Sequence, residues 1–310
     1  MLILSKNRAG VWASAALLVA LTGCGNPPSS TGPVGSRSPT EELSSPPAAD
    51  RTGGTPSTST LQPSPRNRTP SNRPTATAEP KPPGLAGDRR NAFAFAPLDD
   101  PTDVTVEGHV PSSQAWSTSK VLVVAAFLGT TARGDPERVS ATNRRLIRAA
   151  LTKSDTDAVL TLRTQIRGRP GPAMTRVLRS IGDTTTVAPD RYEGLMPWSI
   201  REQVRFMAAL DAGKVISRAA SAYLLESLHP VEAHSWGLGT IGATAWKGGW
   251  LRADTVTRQM GIVDGYAVAI ITDAVGPAVR QSDGDSAHVR QMNRLARLLQ
   301  QRLAYEQARR

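Results

Sequence analysis

The stretch Trp116-Ser117-Thr118-Ser119-Lys120-Val121-Leu122-Val123-Val124-Ala125-Ala126-Phe127-Leu128 decides how this chain is read. From Val121 to Leu128 every residue is apolar, so a helix built from them has no polar face and belongs inside a core. The expected helix runs from Ser117 to Leu128. On it Ser117 and Lys120 stand three positions apart and share a face, which sets the lysine ammonium beside the serine hydroxyl. Next to an apolar run that ammonium is costly to keep charged, and a lysine with lowered proton affinity can take a serine proton. Backbone N–H groups at the helix start favour the negative charge that results. By residue frequencies alone, Ser-x-x-Lys turns up about once in a chain of this length, so its meaning depends on what surrounds it.

Two strands are expected before this helix, at Ala92–Pro97 and Val104–Val110. Helices are expected after it at Asn143–Leu151, Ala158–Ile166, Ala173–Ile181, Ser199–Ala212 and Ala219–Leu228. Ser199 and Glu202 have the spacing of a capping box at the start of the fourth of these. Beyond Gly239 strands are expected at Ala243–Trp250, Thr255–Val263 and Tyr266–Asp273, the last two joined by an Asp264-Gly265 hairpin turn. A final amphipathic helix spans His288–Ala308. Strands at both ends and helices between them predict an α+β fold: an antiparallel sheet formed from the N- and C-terminal strands, flanked by helices as a sandwich, plus a helical subdomain.

Two more motifs lie in order along this domain. Ser154-Asp155-Thr156 follows the second helix, where a Ser-Asp pair also suits plain helix capping. Lys247-Gly248-Gly249 sits inside a strand. A lysine there can serve only to keep a strand edge from pairing, but two glycines weaken a strand and mark close approach by a ligand.

The order Ser-x-x-Lys, Ser-Asp-Asn, Lys-Thr-Gly marks the serine β-lactamases and penicillin-binding proteins. From about Ala92 onward this chain resembles a divergent member on the class A side. The resemblance implies that Ser117 attacks a carbonyl to form an acyl-enzyme, with Lys120 as its base or proton relay. It implies that Ser154 passes a proton to the leaving amine, that Lys247 supplies positive charge near Ser154 and the substrate carboxylate, and that the N–H groups of Ser117 and Trp250 form an oxyanion hole. Thr156, Gly248 and Gly249 would line the substrate.

The chain departs from the pattern where chemistry is decided. Thr156 stands in place of Asn, and is expected to lose an amide contact to Lys120 and substrate. Gly248 stands in place of Thr or Ser, removing a hydroxyl that would bind a substrate carboxylate. Each unpaired partner costs about 1–3 kcal/mol. Asp190-Arg191-Tyr192-Glu193 locally resembles the class A loop that carries a deacylating Glu, which makes Glu193 the candidate base, although the loop before Ser199 looks truncated. His109, His229, His234 and His288 are scattered, so neither a metal nor another cofactor is expected. His234 is read as cleft rim or packing.

The N-terminus reads as an address. Lys6 and Arg8 precede an apolar run, Val11–Leu21, too short for a comfortable span of roughly 20 residues. Leu21-Thr22-Gly23-Cys24 resembles a bacterial lipobox, which implies a signal peptide at 1–23, lipid on Cys24 and a domain outside the cytoplasm, held at the cell envelope. Cys24 is the sole cysteine of the 310 residues, which excludes an intramolecular disulfide. Residues 24–88 are rich in Pro, Ser and Thr and read as a disordered tether; residues 89–310 form the expected hydrolase domain. The net charge is +11, but the arginines are scattered, so the expectation is an acidic surface and not nucleic acid. A monomer is expected. The implied function is a serine hydrolase acting on a β-lactam or cell-wall peptide amide. The alternative is the same fold with a weakened site, binding peptidoglycan or a protein partner; an esterase using the same Ser/Lys pair has no motif of its own.

Overall fold

The structure, a computed structural model, describes residues 82–310 apart from 112–113, 252–254 and 274–285. Cys24, the signal peptide and almost all of the tether lie outside the described residues.

Strands β1 (Asn91–Pro97), β2 (Thr105–Gly108), β3 (Ala245–Trp250), β4 (Thr257–Val263) and β5 (Tyr266–Thr272) form one sheet in the order β2-β1-β5-β4-β3. Every pairing is antiparallel. The first strands of the domain therefore lie against the last, as the element order predicted. Asp264 and Gly265 both take positive φ (47° and 79°) in the turn that joins β4 to β5, the two-residue geometry that matches strand twist.

The sheet's two faces differ because β1 alternates small and large residues. Phe93 and Phe95, with Val268 and Ile270 of β5, pack on helix α7 (Ser286–Ala308) through Met292, Leu295, Leu299 and Leu303. Ala92, Ala94 and Ala96 face the other way and let helix α5 (Ile200–Asp211) approach the sheet. This is the layered arrangement that buries one stripe of each helix and both faces of the sheet.

Helix α1 (Ser119–Thr130) is buried at every position from Ser119 to Leu128. Helices α2 (Ala141–Thr152), α3 (Thr156–Thr164), α4 (Pro170–Ser180) and α6 (Arg218–Glu226) surround it. The observed boundaries differ from the expected ones by a few residues, as fraying ends and Pro170 at the first turn of α4 dictate. The capping box at α5 is only half formed. Ser199 Oγ accepts from the Glu202 N–H at 3.2 Å, but the Glu202 carboxylate turns to Arg205 instead. Burial and then the nearby Asp183 raise the Glu202 pKa.

Candidate active site

The nucleophile candidate does not begin an α-helix, as the sequence suggested. Trp116–Thr118 form a 3-10 turn, and α1 starts at Ser119. Trp116 itself takes the left-handed conformation, φ 44°, uncommon for a bulky residue and costly by about 1–3 kcal/mol. The turn leaves Ser117 partly exposed while Thr118, Ser119 and Lys120 are buried.

Lys120 Nζ donates to Ser117 Oγ at 3.0 Å, so the spacing in sequence does become contact in space. The same nitrogen reaches the Ser154 carbonyl at 2.7 Å, Ser154 Oγ at 3.5 Å and Thr156 Oγ1 at 3.3 Å. Thr156 therefore keeps a contact with Lys120 that the loss of an Asn amide was expected to remove: a hydroxyl at that position is long enough to accept from the ammonium. Ser154 sits between α2 and α3 in a second left-handed conformation, φ 60°. Its neighbour Asp155 caps α3, accepting from the Ala158 N–H at 2.9 Å. The capping reading of the pair thus holds for Asp155, while Ser154 Oγ meets the two lysines.

Lys247 closes the group from the opposite wall. It is 3% exposed, and its Nζ donates to Ser154 Oγ at 3.0 Å and to the Gly248 carbonyl at 2.7 Å. One continuous chain of polar atoms thus joins Ser117, Lys120, Ser154 and Lys247 from three separate elements: the 3-10 turn and α1, the α2–α3 turn, and β3.

The two glycines of β3 are met by the protein itself, where sequence had pointed to a ligand. A Cβ at Gly249 would stand 2.9 Å from Ala115 O, Ser117 N and Thr118 N. The bare backbone at 249 is what lets β3 lie against the 116–118 turn. Gly249→Ala must push strand and turn apart. The acylation that the resemblance implies for Ser117 is then expected to slow by roughly a hundredfold, the scale of losing one oxyanion donor, with the far-UV circular dichroism unchanged; acylation at the parent rate would mean that the two backbones need not touch. At Gly248 the obstacle is the Trp250 indole, whose Cζ3 would lie 3.0 Å from an added Cβ.

Beneath Ser117 lies a polar network that the sequence reading missed. Arg258, in the interior strand β4, is 0% exposed. It donates to Gln114 O at 2.8 Å, Trp198 O at 2.7 Å and Gln203 Oε1 at 2.7 Å. Gln203 in turn donates to Thr118 Oγ1 at 2.7 Å, and Thr118 to Ala115 O. Burial lowers the Arg258 pKa to about 9, so at neutral pH it is still a cation. An arginine inside an otherwise uncharged, buried strand was the available signal, since charged side chains are almost never fully buried without partners.

Glu193 is buried and pairs with Arg163 of α3 at 2.6 Å. It opens a short 3-10 turn, Glu193–Leu195, that packs on the 116–118 turn, following Tyr192 in a left-handed conformation (φ 57°). Asp190 anchors the same loop by accepting from the Gly171 N–H at 3.0 Å and pairing with Arg169.

His109 and His229 are exposed, whereas His234 lies at the cleft rim. Its ring meets Trp250 edge-on at 5.3 Å. Burial, then the Lys247 charge, lower its pKa below 6.5, against a hydrogen bond to the Thr152 backbone that raises it. A histidine held neutral this way adds stability above the unfolded value and loses it as pH falls through that value. The melting temperature is therefore expected to drop between about pH 7.5 and about pH 5.5, and His234→Phe to flatten that slope. An identical slope in the variant would assign the drop to other groups.

No protein-family model matches the sequence, and no curated protein is similar to it. Solved structures are similar to it in shape. PBP-A superposes with a TM-score of 0.53 at 17% identity, over 72% of this chain and 93% of PBP-A. A variant of the last common ancestor of Gram-negative bacterial class A β-lactamases gives 0.51 at 19% identity, over 67% and 91%. A β-lactamase from Desulfarculus baarsii gives 0.50 at 17% identity, over 70% and 92%. The chain has the α+β fold of serine β-lactamases and penicillin-binding proteins.

Proposed function

We propose that this protein is a serine hydrolase that works through an acyl-enzyme on Ser117, taking a β-lactam or a peptidoglycan-derived peptide amide. The observation that carries the reading is the unbroken hydrogen-bonded chain Ser117–Lys120–Ser154–Lys247. Lys120, in its neutral form, takes the Ser117 proton as Oγ bonds the carbonyl carbon. The oxyanion is met by the N–H groups of Ser117 and Trp250. When the C–N bond breaks, Ser154 Oγ gives its proton to the leaving nitrogen and recovers one from Lys120, 3.5 Å away. Lys247 holds the Ser154 oxygen and favours its transient negative charge. A penicillin G acyl-enzyme is known for a mutant of PBP-A, which agrees with this assignment. The lipobox-like Cys24 supports action outside the cytoplasm at the membrane's outer face, by a monomer reaching out on its tether.

The test is intact-mass spectrometry of residues 82–310 after incubation with penicillin G and with a chromogenic cephalosporin, with Ser117→Ala as control. A Ser117-dependent adduct or turnover is expected. Neither adduct nor turnover would favour the binding-protein reading, for which the indole over Gly248 is the supporting observation.

Glu193 is the proposed base for deacylation, with Arg163 holding one carboxylate oxygen. Glu193→Gln should lengthen the life of the adduct by about a hundredfold or more; an adduct that decays at the parent rate removes Glu193 from the mechanism.

A further inference from the structure

Along β3, Lys247 and Gly249 point toward Ser154 and the nucleophile turn, while Gly248 and Trp250 face the opposite side. That second side is aromatic. The Trp250 indole is half-buried and lies against Trp236 at 5.1 Å, His234 at 5.3 Å and His288 at 6.3 Å. Trp236 is fixed in turn: its carbonyl accepts from Gln259 Nε2 at 2.9 Å, and the next N–H, that of Gly237, donates to Asn293 Oδ1 at 2.6 Å. The indole is thus held on several sides before anything binds, so little ordering cost remains to be met on binding.

We infer that Trp250, reaching over Gly248, is the floor of a subsite for a flat, uncharged group on the leaving-group side of the acyl donor. The inference rests on the reading of Ser117 as nucleophile for its orientation: Lys247 and Ser154 serve the leaving atom, and Gly248 is Lys247's chain neighbour. Position 248 has no hydroxyl, and the Trp250 ring occupies the space one would need. The face of an indole carries negative charge density and repels an anion. It would attract a cation, but the Lys247 ammonium, bonded to the Gly248 carbonyl, opposes one. A neutral aromatic or apolar group satisfies both conditions.

Two benzoylglycyl thioesters test this, one with a benzylthiol leaving group and one with mercaptoacetate. Thiol release gives kcat/KM for the parent, Trp250→Ala and Trp250→Phe proteins. The ratio between the two substrates should favour benzyl by about tenfold more in the parent and the Phe variant than in the Ala variant, the scale of one aromatic contact. Reactivity differences between the thioesters cancel in that comparison. An unchanged ratio in Trp250→Ala overturns the subsite. The same question is asked without chemistry by calorimetric titration of Ser117→Ala with benzoylglycine benzylamide and with benzoylglycylglycine. Tighter binding of the benzylamide, lost in Ser117→Ala/Trp250→Ala, supports the subsite even if no thioester is consumed, in which case the acyl-enzyme reading alone fails. Equal or weaker binding of the benzylamide, or binding of neither, overturns the subsite.

Discussion

Acylation by penicillin G is expected to slow by about 10³–10⁴-fold when Lys120 is replaced by methionine, the upper range of what a positioned proton acceptor contributes. Lys120 Nζ is 3.0 Å from Ser117 Oγ, the oxygen that loses its proton in the proposed reaction. Methionine fills much of the same buried space with no acceptor, so the loss reads on chemistry more than on packing. Lys120→Arg separates two roles. A guanidinium keeps the positive charge but does not give up its proton in proteins, so it cannot act as a base. Both variants should be slow. Timed mass spectrometry of the Ser117 adduct gives the rates, and a Lys120→Arg protein acylating near the parent rate would mean that the charge alone matters.

The largest effect on stability is expected at Arg258. Arg258→Met removes the donor from Trp198 O and Gln203 Oε1, which are buried, and from the part-buried Gln114 O. A buried acceptor stripped of its partner costs about 1–3 kcal/mol, so the two buried ones place the loss at roughly 3–5 kcal/mol, the range found when a buried charged partner is removed. For a domain of this size that lowers the melting temperature by on the order of 10 °C. Arg258→Lys should recover only part of it, because one ammonium cannot span acceptors on three segments. The site should loosen as well, since Gln203 links Arg258 to Thr118, the residue after Ser117. A melting temperature within a degree or two of the parent would show that water replaces the guanidinium at little cost.

These two residues differ in how legible they were. Lys120 announced itself through its spacing from Ser117 and through the apolar run after it. Arg258 fell inside a segment read as a strand, and nothing in its neighbours named Gln114, Trp198 or Gln203 as partners 144, 60 and 55 residues away. The same contrast holds at β3. The Lys247-Gly248-Gly249 motif was visible, but it took the structure to reveal that Gly249 meets the nucleophile turn and that the Trp250 ring lies over Gly248. At α5 the Ser199–Glu202 spacing predicted a reciprocal cap, and Arg205 took the carboxylate instead.

The sequence by itself determined the element order, the buried central helix and the sheet assembled from both ends of the chain, and it singled out Ser117, Lys120, Ser154 and Lys247, which the fold brings into contact. Periodicity, turn chemistry and short spacings are local properties, and each residue carries them wherever the chain goes. Only the tertiary structure decided the left-handed backbone at Trp116 and Ser154, the Arg258 network under the nucleophile, the Arg163–Glu193 pair and the aromatic flank of β3. Those depend on which distant side chains come to share one buried volume, and that is settled by packing the whole domain at once.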